Sequence, residues 1–159
     1  MATITIPDGY GIPNRIIDDK PQLKIVLDEG AKMPTRAHDT DVGLDLYCRK
    51  NVALRPGRSC AFDTGVRMAI PHGYFGKIES KPTLYMERRI VSLDNLIDES
   101  YRGSIVVRLC NLSDELYLFF EGDAIAQLII MPYFAPELAQ VDKLDDTDRG
   151  CGGFGSTGR

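Results

Sequence analysis

Apolar residues along this chain come in short runs, with turn residues between the runs and alternation inside several of them. "LKIVL" (23–27) is the first, and "VGLDLYC" (42–48) follows, where Leu44 and Leu46 alternate with Asp45. "SCAFDTGVRMAI" (59–70) and "YFGKIES" (74–80) are divided by "PHG". "SIVVRLC" (104–110), "ELYLFF" (115–120) and "AIAQLIIM" (124–131) are divided by "NLSD" and "EGD". Runs this short, at this even spacing, predict an all-β sandwich or barrel. One stretch breaks the rhythm. "KPTLYMERR" (81–89) sets Pro82 ahead of good helix formers, where a first helical turn tolerates proline, and predicts a single helix of about two turns. Residues 1–21 carry Pro7, Pro13 and Pro21 and read as an extended arm. Residues 22–147 then form one domain, without repeats, low-complexity tracts or a linker, and residues 148–159 form a glycine-rich tail.

Composition narrows the function classes. A chain of 159 residues, 43% hydrophobic and 26% charged, has enough core to fold without staples. A net charge of −4 argues against nucleic acid as the main partner, because neutralising a phosphate backbone takes clustered Lys and Arg. No apolar run is long enough to predict a membrane span or a signal segment. Cys48, Cys60, Cys110 and Cys151 are widely spaced, and with His38 and His72 they match no zinc spacing. They read as reduced, small apolar residues of a cytoplasmic protein. Any metal would be a hard ion held by oxygens.

Four stretches carry candidate chemistry. The tail "DRGCGGFGSTGR" (148–159) offers backbone N–H groups, at Gly155 among others, and the hydroxyls of Ser156 and Thr157, the makings of an anion nest. Arg149 adds a permanent charge suited to phosphate oxygens, and Phe154 is able to stack on a flat ring. The plainer reading is a loose C-terminus. In "NLIDESYRG" (95–103), Asp98 stands at the edge of a predicted strand where a carboxylate can act as a base on water, with Tyr101 three residues on. The plainer reading there is a turn with exposed acids. Asp45 projects away from the core by strand alternation. Gln127 interrupts an apolar strand, so it ties down a loop or touches a ligand.

The order of these stretches is more specific than any one of them. Gly-Leu-Asp-Leu, a strand-to-helix turn, Ile-Asp-x-x-Tyr-Arg-Gly, Gly-Asp-x-Ile-Ala-Gln-Leu-Ile and Arg-Gly-x-Gly-Gly-Phe-Gly-Ser-Thr-Gly together resemble the five ordered motifs of the trimeric dUTPase family. The resemblance covers residues 23–159. It implies a jelly-roll-like β-barrel, three chains building three shared active sites, and hydrolysis of dUTP to dUMP and pyrophosphate. Such an activity keeps uracil out of DNA and supplies dUMP for thymidylate synthesis. Asp98 would orient the attacking water. Tyr101 would pack under the deoxyribose, and backbone groups around Asn95 and Leu96 would read uracil. Asp45, through water, and Gln127 would hold the phosphate–Mg²⁺ assembly. Phe154 would cap the uracil while Arg149, Gly155, Ser156 and Thr157 take the phosphates, so that ligand contacts offset the entropy of ordering the tail.

The second motif departs from the family. Where Pro-Arg-Ser-Gly or a close variant is usual, this chain has Ser80, Lys81, Pro82 and Thr83. Lys81 keeps the charge of an arginine without its fork, and Thr83, with Ser80 as the alternative, is the nearest hydroxyl able to replace the serine that Pro82 displaces. Three alternatives stay open. A dCTP deaminase of similar outline would carry a glutamate where Arg108 stands. A triphosphatase for another pyrimidine would use Asp94 or Asn95 on a cytosine amino group. A relative without turnover would act as a nucleotide-gated binding or regulatory protein.

Overall fold

The computed structural model describes residues 22–93 and 96–153. Eleven strands and one helix follow in order among these residues. They are β1 (Lys24–Leu27), β2 (Gly43–Tyr47), β3 (Val52–Leu54), β4 (Ser59–Asp63), β5 (Val66–Ala69), β6 (Tyr74–Ser80), α1 (Pro82–Arg88), β7 (Ile90–Ser92), β8 (Leu96–Ile97), β9 (Val106–Asn111), β10 (Tyr117–Phe119) and β11 (Ala124–Pro132). The all-β class with one short helix holds.

Four antiparallel sheets enclose one core. The largest runs β2-β11-β6-β8, a second runs β4-β9-β7, and β1-β5 and β10-β3 are two-stranded ribbons. Leu44 and Leu46 of β2, Ile78 of β6 and Leu128 of β11 point inward from the large sheet. Phe62, Val107 and Leu109 meet them from β4 and β9, and Phe119 packs edge-on against Phe62 with ring centroids 5.0 Å apart. The inward set follows the period of two that a half-buried strand requires.

Two local outcomes position the site. Lys81 is extended (φ −68°, ψ 133°), as the residue before a proline must be, and Pro82 then opens α1. Leu84 is the residue by which the helix is anchored in the core. The predicted run 59–70 is not one strand. Thr64 buries its hydroxyl on the Ile105 carbonyl (2.7 Å), and Gly65 takes φ +67°, a conformation that favours glycine. The chain turns there, so β4 joins β9 while β5 joins β1. The short strands β3 and β7 are absent from the sequence prediction, because three residues are too few to display a period.

Candidate functional site

The large sheet turns one face to the core and leaves Asp45, Glu79 and Gln127 on the other, partly exposed. On that outer face Asp45 lies opposite Gln127 across the β2–β11 ladder, and Gln127 lies opposite Glu79 across β11–β6. Directly opposed residues on one face touch, so these three make a polar row. Glu79 went unnoticed in the sequence, where it is one acid among many; only the pairing register puts it beside Gln127.

Asp45 is not merely solvated. The Lys81 ammonium reaches across from the end of β6 and donates to both of its carboxylate oxygens, at 2.7 and 2.8 Å. Both side chains are about four-fifths buried. Glu79 is paired in turn with Lys77. Gly43 leaves room for Gln127, whose Oε1 would stand 2.9 Å from any Cβ added there. The row thus holds two acid–base pairs around an amide that can donate and accept. Such a strip can bind a multiply charged oxyanion once its lysines are shared.

Nearby hydroxyls are unequally placed. The Ser80 hydroxyl accepts the Ser92 N–H at 2.8 Å and contacts the Ser92 hydroxyl at 3.2 Å, joining the end of β6 to β7. Thr83 is exposed in the first turn of α1, a helix with no side-chain cap.

The second group stands at another corner of the sheet. Phe75, Leu96, Asp98, Glu99, Ser100 and Tyr133 line a pocket of about 470 Å³, within the usual size for small-molecule sites. Asp98 is exposed at its edge, and its carbonyl accepts the Tyr101 N–H at 3.0 Å to close a turn. The Tyr101 ring lies across Gly103 and donates its hydroxyl to the Ser104 carbonyl at 3.0 Å. Ser104 is itself held by Asp63. Glu99 accepts the Gly73 N–H at 2.7 Å and contacts His72 Nδ1 at 3.1 Å. The Gly73 N–H above all, and then His72, hold its carboxyl below the usual carboxylate range. Desolvation and the Glu99 carboxylate push the Tyr133 phenol up.

The fold brings Asp45, Lys81 and Gln127 together, and separately Leu96, Asp98 and Tyr101. It does not join the two groups within one chain. The β6–β8 register pairs Gly76 with Ile97, which sets Asp98 alongside Phe75, four residues from Glu79. At about 3.3 Å per residue and about 4.8 Å per strand, Asp98 and Asp45 are roughly 20 Å apart. Arg149 lies in an exposed turn and donates from Nε to the Gly152 carbonyl at 2.9 Å. Asn95, Phe154, Gly155, Ser156, Thr157 and the arm 1–21 lie outside the described residues.

The fold and site define an all-β protein with a lysine-neutralised polar strip and a carboxylate-edged pocket at two corners of one sheet. The sequence profile of the dUTPase family matches residues 29–158, and the chain belongs to that family. It is 41% identical over 140 residues to a deoxyuridine 5'-triphosphate nucleotidohydrolase of Mycolicibacterium gilvum, covering 83% of this chain and 91% of that one. It is 39% identical over 133 residues to the human mitochondrial deoxyuridine 5'-triphosphate nucleotidohydrolase, covering 84% of this chain. The match spans 53% of the human protein, about half its length. Its fold is similar to that of a Staphylococcus bacteriophage 80alpha dUTPase mutant with dUpNHpp (TM-score 0.79, 29% identity, 88% of this chain and 100% of that one). A phage phi11 dUTPase mutant from S. aureus, described for its coordination of a structural Mg(II) ion, is similar at TM-score 0.72 and 29% identity (77% and 98% covered). Among the described residues no helix is long and apolar enough to cross a membrane.

Proposed function

We propose that this chain hydrolyses dUTP to dUMP and pyrophosphate in sites shared between three copies. The observation that carries the reading is the division of the motif residues into two groups at separate corners of one sheet. A site that needs both must take one from each of two copies. In it, Asp98 accepts a proton from water as the water oxygen bonds to the α-phosphorus. The bond from that phosphorus to the α–β bridging oxygen breaks, and pyrophosphate leaves. Tyr101 forms the floor under the deoxyribose, and backbone groups at Asn95 and Leu96 read the uracil. Lys81, Thr83 and Gln127 meet the phosphates. The tail completes the site, with Arg149, Gly155, Ser156 and Thr157 on phosphate and Phe154 over the base.

Asp45 suits a Mg²⁺ ion held through water. Mg²⁺ is commonly bound by one or two carboxylates plus substrate phosphates rather than by a dedicated cage. Among the described residues no group of three His, Cys, Asp or Glu forms such a cage. When bound, the ion supplies neutralisation of the phosphate oxygens. Incubation with dUTP, dCTP, dTTP and UTP in the presence of Mg²⁺, reading monophosphate and pyrophosphate, tests the whole reading. Release from dUTP above the others is the expected result; no release from dUTP would overturn it.

The trimer has its own support. Beyond β11, Phe134, Leu138, Val141 and Leu144 are all exposed, Leu138 almost completely, along an arm with no strand of its own. Four large apolar side chains on one arm call for a cover, and a second copy supplies it. Light scattering at micromolar concentration should report about three times the 17.7 kDa chain mass. A monomer would remove both the trimer and the shared site.

Thr83 carries a separate expectation. Pro82 has no N–H, and the Ser80 hydroxyl faces Ser92, accepting its N–H and lying 3.2 Å from its hydroxyl, which favours the exposed Thr83 as the group that meets the phosphate bridge. Thr83→Val keeps the shape and should lower kcat/KM for dUTP by about 1–3 kcal/mol of transition-state stabilisation. Unchanged kinetics would assign the contact elsewhere.

A further inference from the structure

Asp98 follows β8, which among the described residues is the edge strand of its sheet and pairs with β6. An edge strand, held from one side, is a weak mounting for a group that must aim at water. A general base displaced by about 1 Å can lose a hundredfold in rate. The next residue supplies what the strand lacks. The Glu99 carboxylate is held by the Gly73 N–H and His72 in the turn before β6, and it shares its pocket with Tyr133 just past β11. Those two segments are themselves joined, since the Tyr133 N–H bonds the Gly73 carbonyl at 3.1 Å and Pro132 pairs with Tyr74. β6 and β11 form the longest ladder of the sheet, seven paired positions. Gly73 sits at φ +81°, a left-handed conformation suited to glycine.

We propose that Glu99 is a positioning residue, which clamps the Asp98 turn to the rigid end of the β6–β11 ladder and so fixes the aim of the Asp98 carboxylate. The inference rests on the hydrolase reading above. Glu99 takes no proton and touches no reacting atom in this role.

Glu99→Ala removes both bonds, and Glu99→Gln keeps an acceptor for the Gly73 N–H and an amide for its other neighbours. In the full-length protein, Glu99→Ala should lower kcat for dUTP about tenfold to a hundredfold, while affinity for a non-hydrolysable dUTP analogue, read by calorimetry, changes less than about threefold. Glu99→Gln should restore at least half of the parental kcat. A merely structural role would lower kcat and analogue binding together, with the thermal midpoint. Equal kcat in Glu99→Ala and the parent would overturn the proposal, as would an equal loss in Glu99→Ala and Glu99→Gln. Should Glu99→Ala fail to fold, His72→Ala deletes one bond of the clamp and leaves the carboxylate. It should lower kcat severalfold with analogue affinity intact, and an unchanged kcat there would again overturn the clamp. A parent that releases no pyrophosphate from dUTP would sink the hydrolase reading itself, a result distinct from any of these.

Discussion

Asp98→Asn should lower kcat for dUTP by about 10²–10⁴-fold, the usual worth of a positioned general base. The substitution keeps the size and polarity of the side chain and removes its capacity to take a proton from water. It leaves the turn intact, because the bond that closes it runs from the Tyr101 N–H to the Asp98 carbonyl and not to the carboxylate. The Glu99 clamp is untouched as well. Binding of a non-hydrolysable dUTP analogue should therefore be preserved or tightened, since one negative charge near the triphosphate is gone. Loss of kcat with binding retained is the signature of a group that acts in the transition state. Single-turnover kinetics with calorimetry would check it. A variant within about tenfold of the parent would remove Asp98 from the role.

Gly103→Ala is expected to be the second most damaging change. A Cβ at this position would stand 2.6 Å from the Tyr101 Cζ and closer still to its hydroxyl, distances that real Cβ atoms essentially never show. The obstacle is a ring held by its bond to the Ser104 carbonyl, so the ring must swing away and surrender that bond. Overpacking of this kind costs about 1–3 kcal/mol of stability. The larger consequence falls on the site. If Tyr101 is the floor under the sugar, as proposed, its displacement should lower kcat/KM for dUTP about tenfold to a hundredfold. On the proposed reading, in which the Tyr101 ring leaves no room for a 2′-hydroxyl, the preference for dUTP over UTP should narrow with it. Tyr101→Phe, which keeps the ring and deletes its hydroxyl, should do much less. Comparing dUTP and UTP turnover in the two variants checks the argument. An unaltered preference in Gly103→Ala would refute it.

Local chemistry is what made the candidate residues legible. Asp45 reads as outward-facing because its leucine neighbours must point inward, and strand alternation needs nothing beyond the next residue. Pro82 announces the start of α1 through its own ring and missing N–H. The motif order supplied the family, and the match over residues 29–158 agrees with it. The Thr64–Gly65 break was hidden, since the bond that makes the turn goes to Ile105, forty-one residues away.

The sequence by itself determined the longer apolar runs that become strands, that Asp45 leaves the core, where the helix begins and to which family the chain belongs. Each depends on bonds and clashes among near neighbours, or on residues read in order. Only the tertiary structure decided what the side chains meet. The Lys81–Asp45 pair spans thirty-six residues and Glu99–Gly73 twenty-six. Gln127 lies between Asp45 and Glu79 only in one register of three strands, and a slip of one residue would turn the row to the other face. The order β2-β11-β6-β8 keeps Asp98 apart from Asp45. That order is chosen by burying the apolar faces of distant strands together, a cost and gain shared by the whole chain and written in no single stretch of it.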